Sequence, residues 1–190
     1  MIELDKSFPR IAGLRHLDLF PETKDVPAAV VMLFVKVKEE YHLLFTKRSE
    51  NLRTHKGQIS FPGGHRDEGE MTPTDTALRE CFEEVGLESY NIKILGALDK
   101  VISHVGKEVY PVVGIYQGTM DDVVMSEAEI SEVFTVPWEI FASGMEKKHP
   151  ITFKGHKYLT KSYEYKKWFI WGLTAQIIYN ANLKKKRQTR

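Results

Sequence analysis

Three glutamates, Glu80, Glu83 and Glu84, crowd the stretch RECFEEVG between Arg79 and Gly86. On a helix, residues three and four apart share a face, so all three carboxylates point the same way. Arg79 reaches Glu83 at the i,i+4 spacing, but Glu80 and Glu84 form a like-charge pair at that same spacing. Such a pair costs a few tenths of a kcal/mol. The face is either solvated or completed by something cationic.

The residues just before it favour a cation. Asp67, Glu68 and Glu70 add carboxylates, and Gly63 and Gly64 let the backbone turn sharply and come close to a ligand. Carboxylate and carbonyl oxygens without a His or Cys cluster suit hard cations such as Mg²⁺ or Mn²⁺, held by a few carboxylates together with substrate phosphates. Upstream, Arg48, Arg53, His55 and Lys56 supply cations able to hold phosphate oxygens. Acid cluster, glycine turn and basic loop together imply metal-dependent attack on a phosphoanhydride. Taken alone, three glutamates on a helix are more often a solvated face; the adjoining Gly-Gly turn and the spacing of the whole segment reverse that weighting. His55 and His104 are more often surface or packing residues than catalysts. Cys81, beside acids on a helix, is expected to have a raised pKa and to serve packing.

The elements that must position these groups are well marked. Thr72 caps a helix, Pro73 suits its first position, Asp75 completes a capping-box spacing and Gly86 is a natural stop. Leu78, Phe82 and Val85 are expected to form its core face, opposite the glutamates. Before it, AAVVMLFVKV and YHLLFTK read as a hairpin with a well-buried first strand. The segment RSENLRTHKGQISFPGGHRDEGE reads as a long functional loop. Strands are expected at 92–99, 109–116 and 130–136. PWEIFASG reads as a short helix, 151–159 with 162–169 as a hairpin, and WFIWGLTAQIIYNANL as the last helix. Residues 1–26 read as an amphipathic extension docked on the domain, and 184–190, KKKRQTR, as a solvated basic tail. Strands interleaved with helices give an α/β class and a single domain over 1–190.

Composition sets the outer limits. The chain has 190 residues, 42% hydrophobic and 28% charged, which suits one domain with a proper core. A formal net charge of +1 carries no global polyanion signal, so any phosphate chemistry is local and nucleic acid is not expected as a partner. One cysteine excludes an intrachain disulfide framework and a multi-cysteine zinc site. No apolar run approaches the roughly 20 residues of a membrane helix, and the N-terminus lacks a secretory signal pattern. A cytoplasmic protein is the expectation, with a homodimer left open.

GGHRDEGEMTPTDTALRECFEEVGL resembles the Nudix box: a glycine, a glutamate, then R-E-U-x-E-E-x-G-U, where U is a bulky aliphatic. Gly64, Glu70, Arg79, Glu80, Glu83, Glu84, Gly86 and Leu87 match by type. Eight residues separate Glu70 from Arg79 where the usual box has seven, and Cys81 takes the first U position. LFTKRSENLRTHKGQISFPGG, residues 44–64, is similar to the element L-L-T-x-R-S-x3-R-x3-G-x3-F-P-G-G of the coenzyme A pyrophosphatase branch, which also tends to have the longer box. The resemblance implies a Nudix α/β/α sandwich with a mixed sheet, and cleavage of coenzyme A or its thioesters to 3′,5′-ADP and (acyl-)4′-phosphopantetheine. It implies that Glu80, Glu83 and Glu84 hold Mg²⁺ or Mn²⁺, with the Gly64 carbonyl a further ligand, and that Arg79 orients the acids. The substrate would be held by Arg48, Arg53, His55, Lys56 and Gly63. The base is Glu83 or Glu84 on the helix, or Glu129 before a later strand. ADP-ribose, NADH or an oxidised dNTP is the alternative substrate, and a catalytically silent Nudix binding module the alternative class.

Overall fold

The computed structural model describes residues 6–16, 19–20, 27–52, 54–103, 105–153 and 155–187. Its centre is β1 (Ala28–Val37), an apolar, β-branched run buried on both faces. Strands of this kind need cover on each side, and they get it here. Ala29, Val31, Leu33 and Val35 pack on one side with Ala77, Cys81 and Val85, while Met32 and Phe34 pack on the other with Ala175, Ile178 and Ala181. The period-2 alternation of a strand thus feeds two separate cores.

β1 pairs antiparallel with β2 (Glu40–Arg48) and, at its start, with β4 (Gly63–His65). On its other edge it runs parallel to β7 (Glu108–Tyr116), from Ala28 opposite Val109 to Phe34 opposite Ile115. β3 (Ile59–Ser60) and β8 (Ile130–Pro137) pair with β2, and β5 (Ile92–Ala97) and β6 (Val101–Ile102) with β7. The result is an eight-stranded mixed sheet. Helix α1 (Pro73–Val85) covers one face; α3 (Gly172–Arg187) covers the other, next to the short α2 (Trp138–Ala142) and a three-stranded sheet of β9 (Lys147–Phe153), β10 (His156–Tyr165) and β11 (Trp168–Trp171). This is the α/β/α arrangement with a mixed sheet.

The described part of the N-terminal segment lies on this body. Phe8 meets Phe34 and Tyr41 edge-on, each at 5.0 Å, and Arg15 exchanges backbone hydrogen bonds with Ala97.

Several expectations need correction. The segment 48–70 is not structureless: Arg48 ends β2, the segment contains β3 and β4, and β4 joins the sheet through β1. The C-terminal hairpin turns at Gly155, with a positive φ of 79°, so β9 and β10 are offset from the expected 151–159 and 162–169. WFIW is strand β11, not helix; the chain turns at Gly172, φ 67°, where α3 begins. Phe82 is 49% exposed while Glu84 is 1% exposed, the reverse of what hydropathy implies. Ala77, Cys81 and Val85, four apart, set the inward direction of α1. Glu84, three after Cys81, shares that side, and Phe82 points away.

Candidate functional site

Helix α1 is held by its ends as expected. Thr72 and Asp75 form a capping box, Pro73 opens the helix, and Gly86 closes it in the left-handed conformation. The glutamates then differ sharply in surroundings. Glu84 is buried, receives the Gly63 amide, and stands 3.5 Å from the Arg48 guanidinium at the end of β2. Glu84 Oε2 and Arg48 Nε are buried without a hydrogen-bond partner among the described residues. Burial pushes the Glu84 carboxyl up to about 8; Arg48 and the Gly63 amide oppose this, while Glu80 and Glu129 add to it. Burial also raises the Glu80 carboxyl, against the pull of Arg79.

The two glycines of the turn are needed for close approach. Gly63, at φ 153°, lies against β1 so tightly that a Cβ would stand 2.3 Å from the Ala29 carbonyl oxygen. At Gly64 a Cβ would stand 2.3 Å from Glu80 Oε1, so the carboxylate rests directly on the glycine backbone.

Arg79 gathers the rest. Its guanidinium donates to Glu70 Oε1 and Glu83 Oε2, both at 2.8 Å, to Glu80 Oε1 at 3.1 Å, and to the His65 carbonyl at 2.8 Å. Glu70 foremost, and then Glu80, hold Arg79 above its ordinary pKa against the opposing effect of burial. Burial would raise Glu70, but the bonds from Arg79, Thr76 and the Asp67 amide overcome it and hold the carboxyl below the usual range. Glu70 is therefore tied to Arg79 and to the loop, at 2.5 Å from Thr76 Oγ1 and 2.8 Å from the Asp67 amide.

Of the residues singled out by the sequence, Arg48, Gly63, Gly64, Arg79, Glu80 and Glu84 come together. Glu83, half exposed, is held by Arg79 at the edge of the group. Glu129 is exposed in the turn before β8; its charge acts on both Glu80 and Glu84, and its carbonyl accepts the Ser49 amide at 2.8 Å. His55 is exposed at φ 56° and bonds Gln58, and Lys56 is exposed; no described hydrogen bond or ion pair joins either to α1. Arg53 and His104 lie outside the described residues. Cys81 is buried and its thiol is pushed up to about 12 by burial and by Glu84.

The donor set suits a hard cation only in part. The buried, partly unpartnered carboxylate of Glu84 and the Glu80 carboxylate beside the Gly64 backbone have the right chemistry. Glu83 is committed to Arg79, and among the described residues no three His, Cys, Asp or Glu side chains are grouped to hold an ion.

A model of the NUDIX domain matches residues 25–153. The chain belongs to the Nudix family. It is 37% identical over 153 residues to the "Uncharacterized Nudix hydrolase NudL" of Enterobacter sp. (strain 638), which spans 80% of this chain and 78% of that protein. It is 32% identical over 194 residues to Nudix hydrolase 3 of Caenorhabditis elegans, spanning 93% of this chain and 80% of that one. Two solved structures share the fold. A MutT/nudix family protein from Enterococcus faecalis has a TM-score of 0.53 at 16% identity, covering 88% of this chain and 65% of that chain. A C. elegans Ap4A hydrolase binary complex has a TM-score of 0.51 at 22% identity, covering 59% and 80%. This Nudix hydrolase is accordingly an enzyme acting on pyrophosphate linkages, and Nudix hydrolases in general use divalent metal ions.

Two features of this Nudix site were not legible beforehand. One is the anchoring of Arg79 by Glu70, whose place in the box was visible but whose partner was not. The other is His65 with Lys107, 3.2 Å apart at the rim. Burial, then Lys107 and His55, push the His65 imidazole below its ordinary pKa. Nothing in the sequence pairs these two residues.

Proposed function

We propose that this Nudix hydrolase cleaves the diphosphate of coenzyme A or its thioesters, releasing 3′,5′-ADP and (acyl-)4′-phosphopantetheine, within one domain spanning 1–190. The supporting observation is the meeting of Arg48 with Glu84 at 3.5 Å, each with a buried polar atom left unpaired. Arg48 belongs to the 44–64 element that resembles the coenzyme A branch, and Glu84 belongs to the box. A half-satisfied buried pair is costly, and a bound phosphate with its metal ion would supply both missing partners.

Glu80, Glu83, Glu84 and the Gly64 carbonyl would hold Mg²⁺ or Mn²⁺. The ion, when bound, neutralises charge on the diphosphate and lowers the pKa of water. Arg79, bonded at once to Glu70, Glu80, Glu83 and the His65 carbonyl, fixes the spacing between the helix and the glycine turn. Arg48, whose Nε has no partner among the described residues, would take a phosphate oxygen. A carboxylate of the helix, Glu83 or Glu84, takes the proton of the attacking water, with Glu129 the alternative. Arg53, His55, Lys56 and Gly63 would line the substrate side, Gly63 through its backbone.

The test is a panel of coenzyme A, acyl-coenzyme A, ADP-ribose, NADH and oxidised dNTPs with purified protein and Mg²⁺ or Mn²⁺. Release of 3′,5′-ADP from a coenzyme A species, ahead of turnover of the others, is the expected result. No such release from any coenzyme A species sinks this substrate assignment.

A further inference from the structure

The rim of the site carries a second cationic position, apart from Arg48. Lys107 lies in the turn between β6 and β7. That turn is closed at its base: Ser103 donates its amide to the Lys107 carbonyl at 2.9 Å, and the Lys107 amide bonds Ser103 Oγ at 3.0 Å. Ala28 at the start of β1 faces Val109 of β7 on one side and His65 of β4 on the other. The Lys107 side chain therefore crosses the end of β1, and its ammonium donates to His65 Nε2 at 3.2 Å.

This contact is odd as a structural device. An ammonium gains little from a neutral imidazole and loses by facing a protonated one. The nearby carboxylate is already taken: Glu108 is bonded by Lys100 and by Tyr110 Oη. Among the described residues no acid pairs with Lys107. His55 adds to the positive field at His65. An anion from outside would complete the group.

The position says which anion. From Lys107 the contacts run to His65, from the His65 carbonyl to Arg79, and from Arg79 to Glu80. The scissile diphosphate belongs at Glu80, Glu84 and Arg48. Lys107 lies beyond Arg79 and His65 on this path, away from the diphosphate position, on the side where a second, separate phosphate of the same substrate would be met. A phosphomonoester carries about −1.5 to −2 charge near neutral pH and three acceptor oxygens, enough to draw the Lys107 ammonium off His65 Nε2 and accept from it and from an imidazole N–H.

We propose that Lys107 and His65 form a subsite for a phosphomonoester carried beside the diphosphate, the group that separates coenzyme A from dephospho-coenzyme A; this rests on the coenzyme A reading above. The subsite selects the substrate and takes no part in bond cleavage.

The experiment compares coenzyme A with dephospho-coenzyme A as substrates of the full chain, for wild type, Lys107→Ala and Lys107→Arg. A charge-assisted contact of this kind predicts a wild-type preference for coenzyme A of about ten- to a hundredfold in kcat/KM. Lys107→Ala should collapse that ratio through a raised KM for coenzyme A with kcat kept, and Lys107→Arg should restore most of it. A wild type that does not discriminate, or a Lys107→Ala protein that discriminates as well as wild type, overturns the subsite. If neither compound is hydrolysed, the coenzyme A reading fails separately. The subsite is then decided by titration with adenosine 3′,5′-bisphosphate against 5′-AMP. Tighter binding of the bisphosphate, lost in Lys107→Ala, supports it, and equal binding overturns it.

Discussion

The two faces of the central sheet are built to different ends. Behind α3 the core is aromatic and uncharged: Phe45 stacks on Phe61 and Phe134 at 5.0 and 5.6 Å, and Phe141 meets Tyr163 edge-on at 5.1 Å. Thr174 Oγ1 there donates to the Ile59 carbonyl at 3.2 Å, and the one buried polar atom of this core without a partner among the described residues is the neutral indole Nε1 of Trp168. Beneath α1 the apolar stripe of Ala77, Cys81 and Val85 is interrupted by Glu84, a carboxylate 1% exposed with one oxygen unpaired. Burying such a group costs several kcal/mol unless it is paired and hydrogen-bonded. One face stabilises the fold; the other tolerates instability at a place where a ligand would relieve it. Changes on the two faces should therefore separate activity from stability.

The largest effect is expected at the acidic face. Glu84→Gln should cut turnover at least about a thousandfold, because several kcal/mol of charge stabilisation depend on the ion it would hold. The same change should raise the melting temperature of the metal-free protein at alkaline pH, since it removes a buried charge. Glu83→Gln should also abolish turnover, but without that gain, because Glu83 is half exposed and paired with Arg79. Paired measurements of kcat and Tm decide this. Turnover of either variant within tenfold of wild type would refute the assigned role.

On the opposite face the sign reverses. Phe141→Ala removes a ring that packs on Phe45, Trp138 and Tyr163, and should cost about 3–5 kcal/mol. Below the lowered transition, kcat of the folded fraction should stay near wild type. A large fall in kcat at unchanged stability would show that the aromatic core reaches the reaction.

Much of this division could be read from the chain, and the failures have physical causes. The caps of α1 are local chemistry, and Thr72, Pro73, Asp75 and Gly86 announced them. β1 and β2 followed from patterning, Gly63, Gly64, Arg79, Glu80 and Glu84 from the box, and Arg48 from the basic segment before it. Which way Glu84 faces did not, because hydropathy ranks Phe82 as the inward residue and only tertiary packing overrides it. WFIW reads as part of a helix because a continuous apolar run has no distinct period. Its aromatic content and the following Gly172 were the signals for a strand. The Lys107–His65 contact depends on two strands flanking the start of β1, which no local pattern encodes.

A smaller effect distinguishes the faces by pH. Glu84 titrates near 8 in the folded protein and near 4.5 when unfolded, so its burial is harmless below about pH 4.5. Its contribution to stability should then fall as pH rises from there through about 8, once the folded state must hold the charge. Saturating Mg²⁺ should flatten that fall, because the ion favours the ionised carboxylate. The measurement is Tm against pH, with and without Mg²⁺, for wild type and Glu84→Gln. An identical slope in the variant would assign the pH dependence to another group.

The smallest effect tests the boundary between the faces, on α1 itself. Phe82 and Val85 are both apolar, but Phe82 is 49% exposed and Val85 is fully buried. Phe82→Ala should change stability by no more than about 0.5 kcal/mol, as a substitution on an exposed surface does. Val85→Ala, though it deletes fewer atoms, should cost clearly more, because it leaves a void in a close-packed core. Chemical denaturation of the two variants gives the order directly. If Phe82→Ala proves the more damaging, the helix is rotated from the orientation described. Glu84 would then turn toward solvent, and the buried half-satisfied pair with Arg48 that supports the proposed chemistry would be lost with it.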